Sequence, residues 1–405
     1  MLVFLDYSYL YVGGTQQLES CVICELNKRG MKAKVYCSRK SYLYKRLISL
    51  HADFIHIDSD VVPHHSFGKY LQSDDVVCVT EISRAILVFL NRKFISRLFF
   101  YSIHPDTFFK AESWVKKIPL YKIYIFDLLN LLFDKKALYF MDGPNVKGLE
   151  RRGFVVDKNK IKYIPVPVMF ETGIRRNNHS RNEVFRITYV GRGWEEWKIY
   201  PVIKLLEDIN RIENKCSLTI ITDTKEMFES MISEYLPDNN VKVCYAFGLN
   251  GQALEEYLLN NSDVHFSMGI SALEGAKLGI PTILLDASHR KIPQNYKYHW
   301  LFEAKDYSLA DFIDDNTSFS GMTINEIFHS ISNDEYYNYY SEKCYNYVLQ
   351  YHSQKAAVDK LLNAAESTQL SSNDFCRTMF MVRCLWLSAI VKLRFLFLMK
   401  IKKIV

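Results

Sequence analysis

Length, composition and charge limit what kind of protein this chain is. Its 405 residues are too many for one ordinary hydrophobic core and favour two or three domains. A hydrophobic content of 49% and a charged content of 24% exclude an extensively disordered chain and a fibrous protein. The net charge of +6 is concentrated in residues 375–405, which contain seven Lys or Arg and no acidic residue, so the rest of the chain is nearly neutral.

The nine cysteines show no spacing typical of a disulfide framework, and we expect reduced thiols of a cytosolic protein. Cys21 and Cys24 form a C-x-x-C pair inside an apparent helix, without a second pair or a nearby His. Core thiols are therefore favoured over zinc ligands at this pair.

The N-terminal segment, MLVFLDYSYLYVGG, has no basic leading region and reaches Asp6 after five residues. It predicts a first strand rather than a signal peptide, and a chain that stays in the cytoplasm.

Apolar runs alternate with helical patterns over the first part of the chain. The runs are LVFLDYSY, KAKVYCS, DFIHID, VVCVT, FFYSIH and ALYFMD, and helices are predicted to begin near Gln16, Tyr42 and Glu81. Continuous rather than alternating apolar runs indicate strands covered on both faces, as in a parallel sheet between helices. Residues 1–168 are therefore predicted to form a Rossmann-like α/β domain.

A second series of the same kind follows a polar stretch that we interpret as a linker over residues 169–184. Its strands are FRITYV, SLTIIT, VKVCYA, DVHFSM and TILLD, with helices beginning near Tyr200, Lys225, Gly251 and Ala272. Residues 185–350 are predicted to form a second Rossmann-like domain, and 351–370 a helix that returns to the first. Because open parallel sheets bind ligands at the carboxyl ends of their strands, the cleft between two such domains is the expected binding place.

The stretch SMGISALEGAKLGIPTILLD predicts a strand end, a glycine turn, a short helix and another strand. Ser271 and Glu274 form an S-x-x-E pattern typical of a capping box, and Gly279 stands where a helix C-terminal cap belongs. In one interpretation the two polar residues only cap the helix. In the other, free backbone N–H groups of Gly269, Ile270 and Ser271 receive a phosphate. The local pattern does not choose between them.

Two cations follow the first strand of the second domain, in YVGRGWEEWK. Arg192 offers a bidentate fork and Lys198 a point charge, a combination that fits a diphosphate. The alternative is a pair of solvated charges beside Glu195 and Glu196.

Together these segments resemble the donor-site signatures of GT-B glycosyltransferases, in particular the large retaining family four of bacterial sugar transferases. The resembling segments are ITYVGRGWEEWK and DVHFSMGISALEGAKLGIPTILLD, with VGGTQQLES similar to the glycine loop after the first strand. The resemblance covers residues 1–367 and implies an α/β protein with two Rossmann-like domains facing across a cleft.

The resemblance also implies residue roles. Arg192 and Lys198 would bind the donor diphosphate and act in catalysis, and Glu274 would bind the ribose. The turn formed by Gly269, Ile270 and Ser271 would lie against the phosphates and the sugar. Gly13 and Gly14 would let the first domain approach the donor. His104, just past a predicted strand, would be a catalytic residue near the donor sugar, although a lone His there is more often structural.

The chain departs from the family pattern at several points. The family usually has two glutamates eight positions apart, but position 266 is Phe, so the role of the first glutamate has no assigned residue. Five residues separate Arg192 from Lys198, where the family has about four, and the glycine loop is shorter. His265 precedes the donor turn and is expected to point into the core.

The tail, residues 371–405, mixes basic residues with Phe, Leu, Met and Trp. Its uncharged run of eight residues is shorter than the roughly 20 that a membrane span needs. The composition predicts a segment that lies on an anionic membrane surface, which would make the protein peripheral on the inner face of the plasma membrane. Docking of the tail on the protein or on a partner is the alternative.

The sequence thus predicts a metal-independent glycosyltransferase that moves a sugar from a UDP- or GDP-sugar to a lipid-linked bacterial surface glycan, such as O-antigen or capsule, with retention as the resemblance implies. No metal or cofactor is expected, because Arg192, Lys198 and the helix N-terminus would offset the charge of the leaving diphosphate in place of a metal ion. The letters DSD at 58–60 match a D-x-D metal motif, but the double α/β pattern argues against that type of site. Nucleic acid is not an expected partner. A catalytically silent nucleotide-binding scaffold is the alternative, whereas a dinucleotide oxidoreductase lacks G-x-G-x-x-G.

Overall fold

The computed structural model describes residues 1–6, 14–81, 96–109, 121–170, 184–212, 215–235, 241–315, 317–371 and 374. These residues form two compact units. Unit 1 contains Met1–Ile164 and the described residues from Ala357 onward, and unit 2 contains Pro165–Ala356. The predicted helix near Glu81, most of the predicted linker and nearly all of the predicted tail lie outside the described residues.

Unit 1 is built on a parallel sheet, as the apolar runs predict. Its strands are β1 (Leu2–Leu5), β2 (Ala33–Cys37), β3 (Phe54–Asp58), β4 (Val76–Val79), β5 (Arg97–Ser102) and β6 (Leu138–Phe140). They lie in the order β3-β2-β1-β4-β5-β6, and every pair is parallel. Strands β1, β2 and β4 are buried at every position, which explains their continuous apolar sequences.

The described helices of this part of unit 1 are α1 (Gly14–Lys28), α2 (Tyr42–Ser49), α3 (Tyr121–Asp134) and α4 (Gly143–Glu150). Short 3-10 helices lie at His64–Tyr70 and Lys158–Lys160. Two of the α-helices begin at side-chain caps: Ser41 accepts a hydrogen bond from Tyr44 N, and Asp142 accepts one from Asn145 N.

Unit 2 contains a second six-stranded sheet. Its strands are β7 (Phe185–Val190), β8 (Cys216–Thr222), β9 (Val241–Phe247), β10 (Val264–Ser267), β11 (Thr282–Leu284) and β12 (His299–Trp300). The order is β12-β11-β10-β7-β8-β9, and only the β11–β12 pair is antiparallel. The sequence did not predict β12, since two residues are too few to show a strand pattern.

The described helices of the second half are α5 (Glu196–Ile209), α6 (Glu226–Ile232), α7 (Gly251–Asn261), α8 (Ile270–Ala276), α9 (Ile324–Ile331), α10 (Asp334–Tyr347) and α11 (Gln354–Ser367). Short 3-10 helices lie at Ser233–Tyr235, Leu301–Glu303 and Lys305–Tyr307, and a π-helical turn at Val348–His352.

The residues after Ala357 are fixed to unit 1 by ion pairs and hydrogen bonds. Asp359 of α11 pairs with Arg29 at 2.5 Å, and Thr368 Oγ1 donates to Leu98 O at 2.7 Å. Leu98 N donates in turn to Leu370 O at 3.0 Å. Asp374 lies 3.5 Å from Lys135, so this contact region extends at least to residue 374.

The two sheets share one strand order, in which the first strand of each unit lies centrally beside the fourth. In unit 2 these strands are β7 and β10, with Ile187 opposite Val264 and Thr188 opposite His265. Chain connections leave a doubly wound sheet in opposite directions at this pair, which opens a crevice at the carboxyl ends of the strands. The loops after β7 and β10 therefore occupy the position where such sheets bind ligands.

Among the residues that the structure describes, no helix is both long and apolar enough to cross a membrane.

Candidate functional site

The backbone of the loop after β7 is held by two hydrogen bonds, one to β8 and one to the side chain that follows β8. Gly191 N donates to Ile221 O at 3.0 Å, and Gly193 N donates to Asp223 Oδ1 at 2.7 Å. A Cβ atom on Gly191 would overlap the Tyr189 hydroxyl, and one on Gly193 would overlap the carbonyl of Thr224. Glycine is thus required at both positions, and its close packing fixes the path of the backbone that carries Arg192.

Arg192 and Lys198 both pair with Glu195. Lys198 Nζ lies 2.5 Å from Glu195 Oε2, and Arg192 Nη1 lies 3.6 Å from Glu195 Oε1. The Arg192 side chain is 45% exposed and the Lys198 side chain 17% exposed. The structure therefore brings the two predicted cations together around one carboxylate, at the carboxyl end of β7.

Two tryptophans flank these cations. The Arg192 guanidinium lies 5.6 Å from the Trp194 ring centroid, and Lys198 Nζ lies 4.9 Å from that of Trp197. Cation–π contacts of this length restrict where both charges lie without neutralising them.

The turn after β10 depends on Gly269. Its backbone has φ +63° and ψ −148°, a conformation that is essentially restricted to glycine, and the space beside its Cα is open. Its N–H donates to Leu309 O at 2.9 Å. The prediction that this amide is free was therefore wrong. Among the described residues, the amides of Ile270 and Ser271 have no protein acceptor.

The predicted capping box at Ser271 and Glu274 was wrong. Helix α8 begins at Ile270 with Gly269 as its N-cap residue, and no side chain caps it. The physical reason is that Gly269 lets the chain enter the helix earlier than a side-chain cap at Ser271 would allow, and Glu274 has a stronger partner in Lys277. Gly279, with φ +73°, lies after the helix end as predicted.

Glu274 belongs to a partly buried ion cluster. Lys277 Nζ lies 2.5 Å from Glu274 Oε2 and 2.6 Å from Glu255 Oε1, and it donates to Met169 O at 3.0 Å. Burial raises the pKa of Glu274, an effect that the Lys277 ammonium opposes and Glu255 reinforces. Burial alone would lower the pKa of Lys277, but its two carboxylate partners raise it.

His265 lies beneath α8 and is fully buried, which confirms that it points into the core. Its Nε2 lies 3.0 Å from Ser271 O, and its Nδ1 lies 2.9 Å from Thr188 Oγ1. Burial lowers its pKa to about 4, although both hydrogen bonds oppose this. A Cβ atom on Gly275 would overlap the imidazole, so this glycine lets α8 lie directly on the ring. The sequence alone did not indicate that position 275 requires glycine.

Further hydrogen bonds join the loops at this sheet edge. Ser267 Oγ donates to Val190 O at 3.0 Å, which links the ends of β10 and β7. Ser288 N, in the segment after β11, donates to Trp197 O at 3.1 Å. Three loop regions are thereby fixed around one crevice.

The candidates predicted in unit 1 lie at the corresponding edge of the other sheet. Gly14 is the first residue of α1, and Gly13 lies outside the described residues. Two residues on, Gln16 Nε2 donates to Asp6 Oδ1 at 3.1 Å, just after β1. This buried bond fixes the start of α1 against the end of β1.

His104 is exposed in the turn after β5, with its side chain 58% exposed. Its Nδ1 accepts a hydrogen bond from Asp106 N at 3.0 Å, so the neutral ring carries its proton on Nε2. Asp106 also pairs with Arg152. The turn thus orients the imidazole through one nitrogen.

In the described parts of the chain, no three His, Cys, Asp or Glu side chains form a group that could hold a metal ion. The two aspartates of the D-x-D match at 58–60 have protein partners. Asp58 pairs with Arg39 at 2.9 Å, and Asp60 accepts a hydrogen bond from Ser38 at 2.6 Å.

Comparison with solved structures finds the same architecture in several proteins. The lipopolysaccharide outer core galactosyltransferase WaaB in its apo form matches with a TM-score of 0.53 and 14% identity. Anabaena Alr3699/HepE in complex with UDP gives 0.56 and 11%, and an S. aureus TarM mutant in complex with Fondaparinux, alpha-GlcNAc-glycerol and UDP gives 0.55 and 11%. Each alignment covers 90% of this chain and 99% of the other.

No protein-family model and no curated sequence matches the chain. At 11–14% identity the structural matches establish the fold alone. The expected α/β architecture is confirmed: the two units of this chain, each with a mostly parallel sheet, match structures of the GT-B fold.

Proposed function

We propose that this protein is a glycosyltransferase that uses a nucleoside diphosphate sugar as its donor. The observation that carries the proposal is that Arg192 and Lys198 meet around Glu195 at the end of β7. They lie beside the Gly269 turn at the end of the adjacent β10. Two of the proteins with this fold were solved with UDP, which supports a nucleotide donor.

The cation pair would bind the donor diphosphate and stabilise it as a leaving group. Transfer breaks the bond between the sugar carbon and the phosphate oxygen, so negative charge increases on the diphosphate in the transition state. Arg192 can donate two parallel hydrogen bonds, and Lys198 adds a localised charge. Fixed charges in a crevice of low polarity are commonly the largest catalytic contribution, and here they would take the place of a divalent metal ion.

The turn after β10 would contact the donor from the other side. The amides of Ile270 and Ser271 would donate to the phosphates, and the open space beside Gly269 leaves room for the phosphates or the sugar. Glu274 would accept a hydrogen bond from the ribose through the carboxylate oxygen that Lys277 does not contact. From unit 1 we assign Gly13 and Gly14 to close backbone approach, and His104 to the donor sugar.

The finer assignment follows the sequence resemblance and the tail. We propose retention of anomeric configuration and a UDP- or GDP-sugar as donor. The acceptor would be a lipid-linked surface glycan, such as an O-antigen or capsule unit. The basic, apolar tail would hold the protein on the inner face of the plasma membrane, where such an acceptor is presented.

The proposal is tested by the transfer rate of purified variants supplied with UDP- and GDP-sugars and a lipid-linked acceptor extract. Arg192→Ala and Glu274→Ala are each expected to lower the rate, by about 100-fold for Arg192, the loss typical of removing one preorganised charge-stabilising group. Arg211→Ala, an exposed arginine on the same unit, is the matched control and should retain the rate. Normal transfer by both site variants would refute the assignment.

A second candidate is a nucleotide-binding scaffold without catalytic activity. It is favoured by Phe266, which is fully buried and contacts Tyr298 edge-to-face at 5.7 Å between ring centroids. A side chain there cannot reach a donor sugar, so the first glutamate of the family pattern is not replaced at that position. Tight binding of UDP or GDP without turnover of any sugar nucleotide would support the scaffold.

A further inference from the structure

Lys277 connects two helices and the N-terminal segment of unit 2. Its ammonium group has three N–H donors and three short contacts, to Glu274 on its own helix, to Glu255 on α7 and to the carbonyl of Met169. The lysine side chain is 6% exposed, whereas the Glu274 side chain is 24% exposed. The cation is therefore enclosed, and the carboxylate it holds remains partly open.

The cluster would be unstable without the cation. Two carboxylates that meet one ammonium within 2.6 Å would otherwise repel each other at a partly buried site. The ammonium group also determines which carboxylate oxygen of Glu274 is engaged in the ion pair. It contacts Oε2, and among the described residues Glu274 has no other hydrogen-bond or ion-pair partner.

We propose that Lys277 is a positioning residue that holds Glu274 by Oε2 and directs Oε1 to a ribose hydroxyl. We assign that hydroxyl as the 2′-hydroxyl: because a 2′-deoxyribose leaves Oε1 without a donor, the site selects ribonucleoside over 2′-deoxyribonucleoside diphosphates. This inference rests on the proposed donor function, and it adds a residue that does not touch the nucleotide itself.

The test measures calorimetrically how the full-length protein binds UDP and 2′-deoxy-UDP, and GDP and 2′-deoxy-GDP. Wild-type protein is expected to bind its preferred ribonucleotide about tenfold more tightly than the 2′-deoxy form, because a hydrogen bond to a charged group contributes at least that factor. In Lys277→Met the ratio should fall to about one to threefold, and Lys277→Arg should recover much of it.

Two further variants separate positioning from a general loss of stability. Lys204→Met removes another buried lysine of unit 2, which pairs with Asp208 at 2.5 Å, and should keep the wild-type ratio. The double variant Glu255→Gln/Lys277→Met removes one charge of each sign, so it does not leave two unpaired carboxylates if the single variant fails to fold. Its ratio should also fall.

The outcomes distinguish this inference from the proposed function. A wild-type ratio that persists in Lys277→Met and in the double variant would overturn the role of Lys277 and leave the donor function standing. Equal binding of ribo- and deoxyribonucleotides by wild-type protein would overturn it as well. If wild-type protein binds neither UDP nor GDP, the proposed function fails, and this inference fails with it.

Discussion

Lys198 Nζ lies 2.5 Å from Glu195 Oε2, where α5 begins. The same carboxylate lies 3.6 Å from Arg192. One acidic side chain therefore offsets half of the positive charge of the two cations that we assign to a diphosphate. A bound donor must compete with this carboxylate, so Glu195 sets the affinity of the crevice for anions.

Glu195→Gln is expected to bind UDP or GDP more tightly than wild-type protein, by about threefold. Glutamine keeps the shape of the side chain and removes the charge, and partly exposed ion pairs contribute up to about 1 kcal/mol. Calorimetric titration at low and moderate salt checks this, with Arg192→Ala as the opposite control. A tenfold loss of affinity in Glu195→Gln would show that the carboxylate organises the cations rather than competing for them.

Gly193→Ala is expected to lower both stability and nucleotide affinity. The added Cβ would overlap the Thr224 carbonyl, and relieving such overpacking costs about 1–3 kcal/mol. The shift would also break the bond from Gly193 N to Asp223. Burial alone would raise the pKa of Asp223, but this bond and those from Thr222 and Thr224 lower it.

Denaturant unfolding and UDP or GDP titration measure the two effects of Gly193→Ala. Gly30→Ala in unit 1, where the backbone has φ +70° but the surrounding space is open, is the control for a general loss of stability. Unchanged affinity in Gly193→Ala, at a stability matched to that control, would argue against a role for this loop in donor binding.

The stability of the protein is expected to decrease between about pH 6.5 and pH 4, in part through His265. Its pKa falls from 6.5 to about 4 on folding. Over this range the unfolded chain binds the proton and the folded chain does not, so lowering the pH favours unfolding, by on the order of 3 kcal/mol.

Denaturant unfolding at several pH values checks the contribution of His265. In His265→Gln the decrease between pH 6.5 and pH 4 should be smaller than in wild-type protein, even though the variant is less stable near neutrality. His329→Gln, an exposed position on α9, should keep the wild-type slope. An equally steep decrease in His265→Gln would exclude this histidine as the source.

Deleting residues 375–405 is expected to release the protein from anionic vesicles. The truncation begins after Asp374, because that residue contacts Lys135 in unit 1. Replacing Lys400, Lys402 and Lys403 by Gln should weaken vesicle binding by about fivefold per charge, because each basic residue near such a surface contributes about 1 kcal/mol. Membrane recovery that is independent of the tail would contradict the proposal and favour docking of the tail on a protein.

The sequence predicted the sheets well because most of their strands, such as β1, β2 and β4, are buried on both faces. Each of the eleven apolar runs corresponds to a strand from β1 to β11, and the parallel arrangement follows from the helices between them. The two-residue β12 had no such pattern.

The contacts of the candidate site were less predictable, because they depend on backbone conformation and on residues distant in sequence. The sequence contains the S-x-x-E pattern, but Ser271 and Glu274 do not form a capping box. The helix begins earlier, with Gly269 as its N-cap residue, and Glu274 pairs with Lys277. Lys277 in turn pairs with Glu255 on another helix, a contact that spacing along the chain does not show.

The most direct test is a crystal structure of the protein soaked with UDP or GDP. We expect the diphosphate to lie at the carboxyl ends of β7 and β10, with Arg192 and Lys198 turned from Glu195 to the phosphate oxygens. A nucleotide bound elsewhere, with both cations still paired to Glu195, would contradict the proposed donor site.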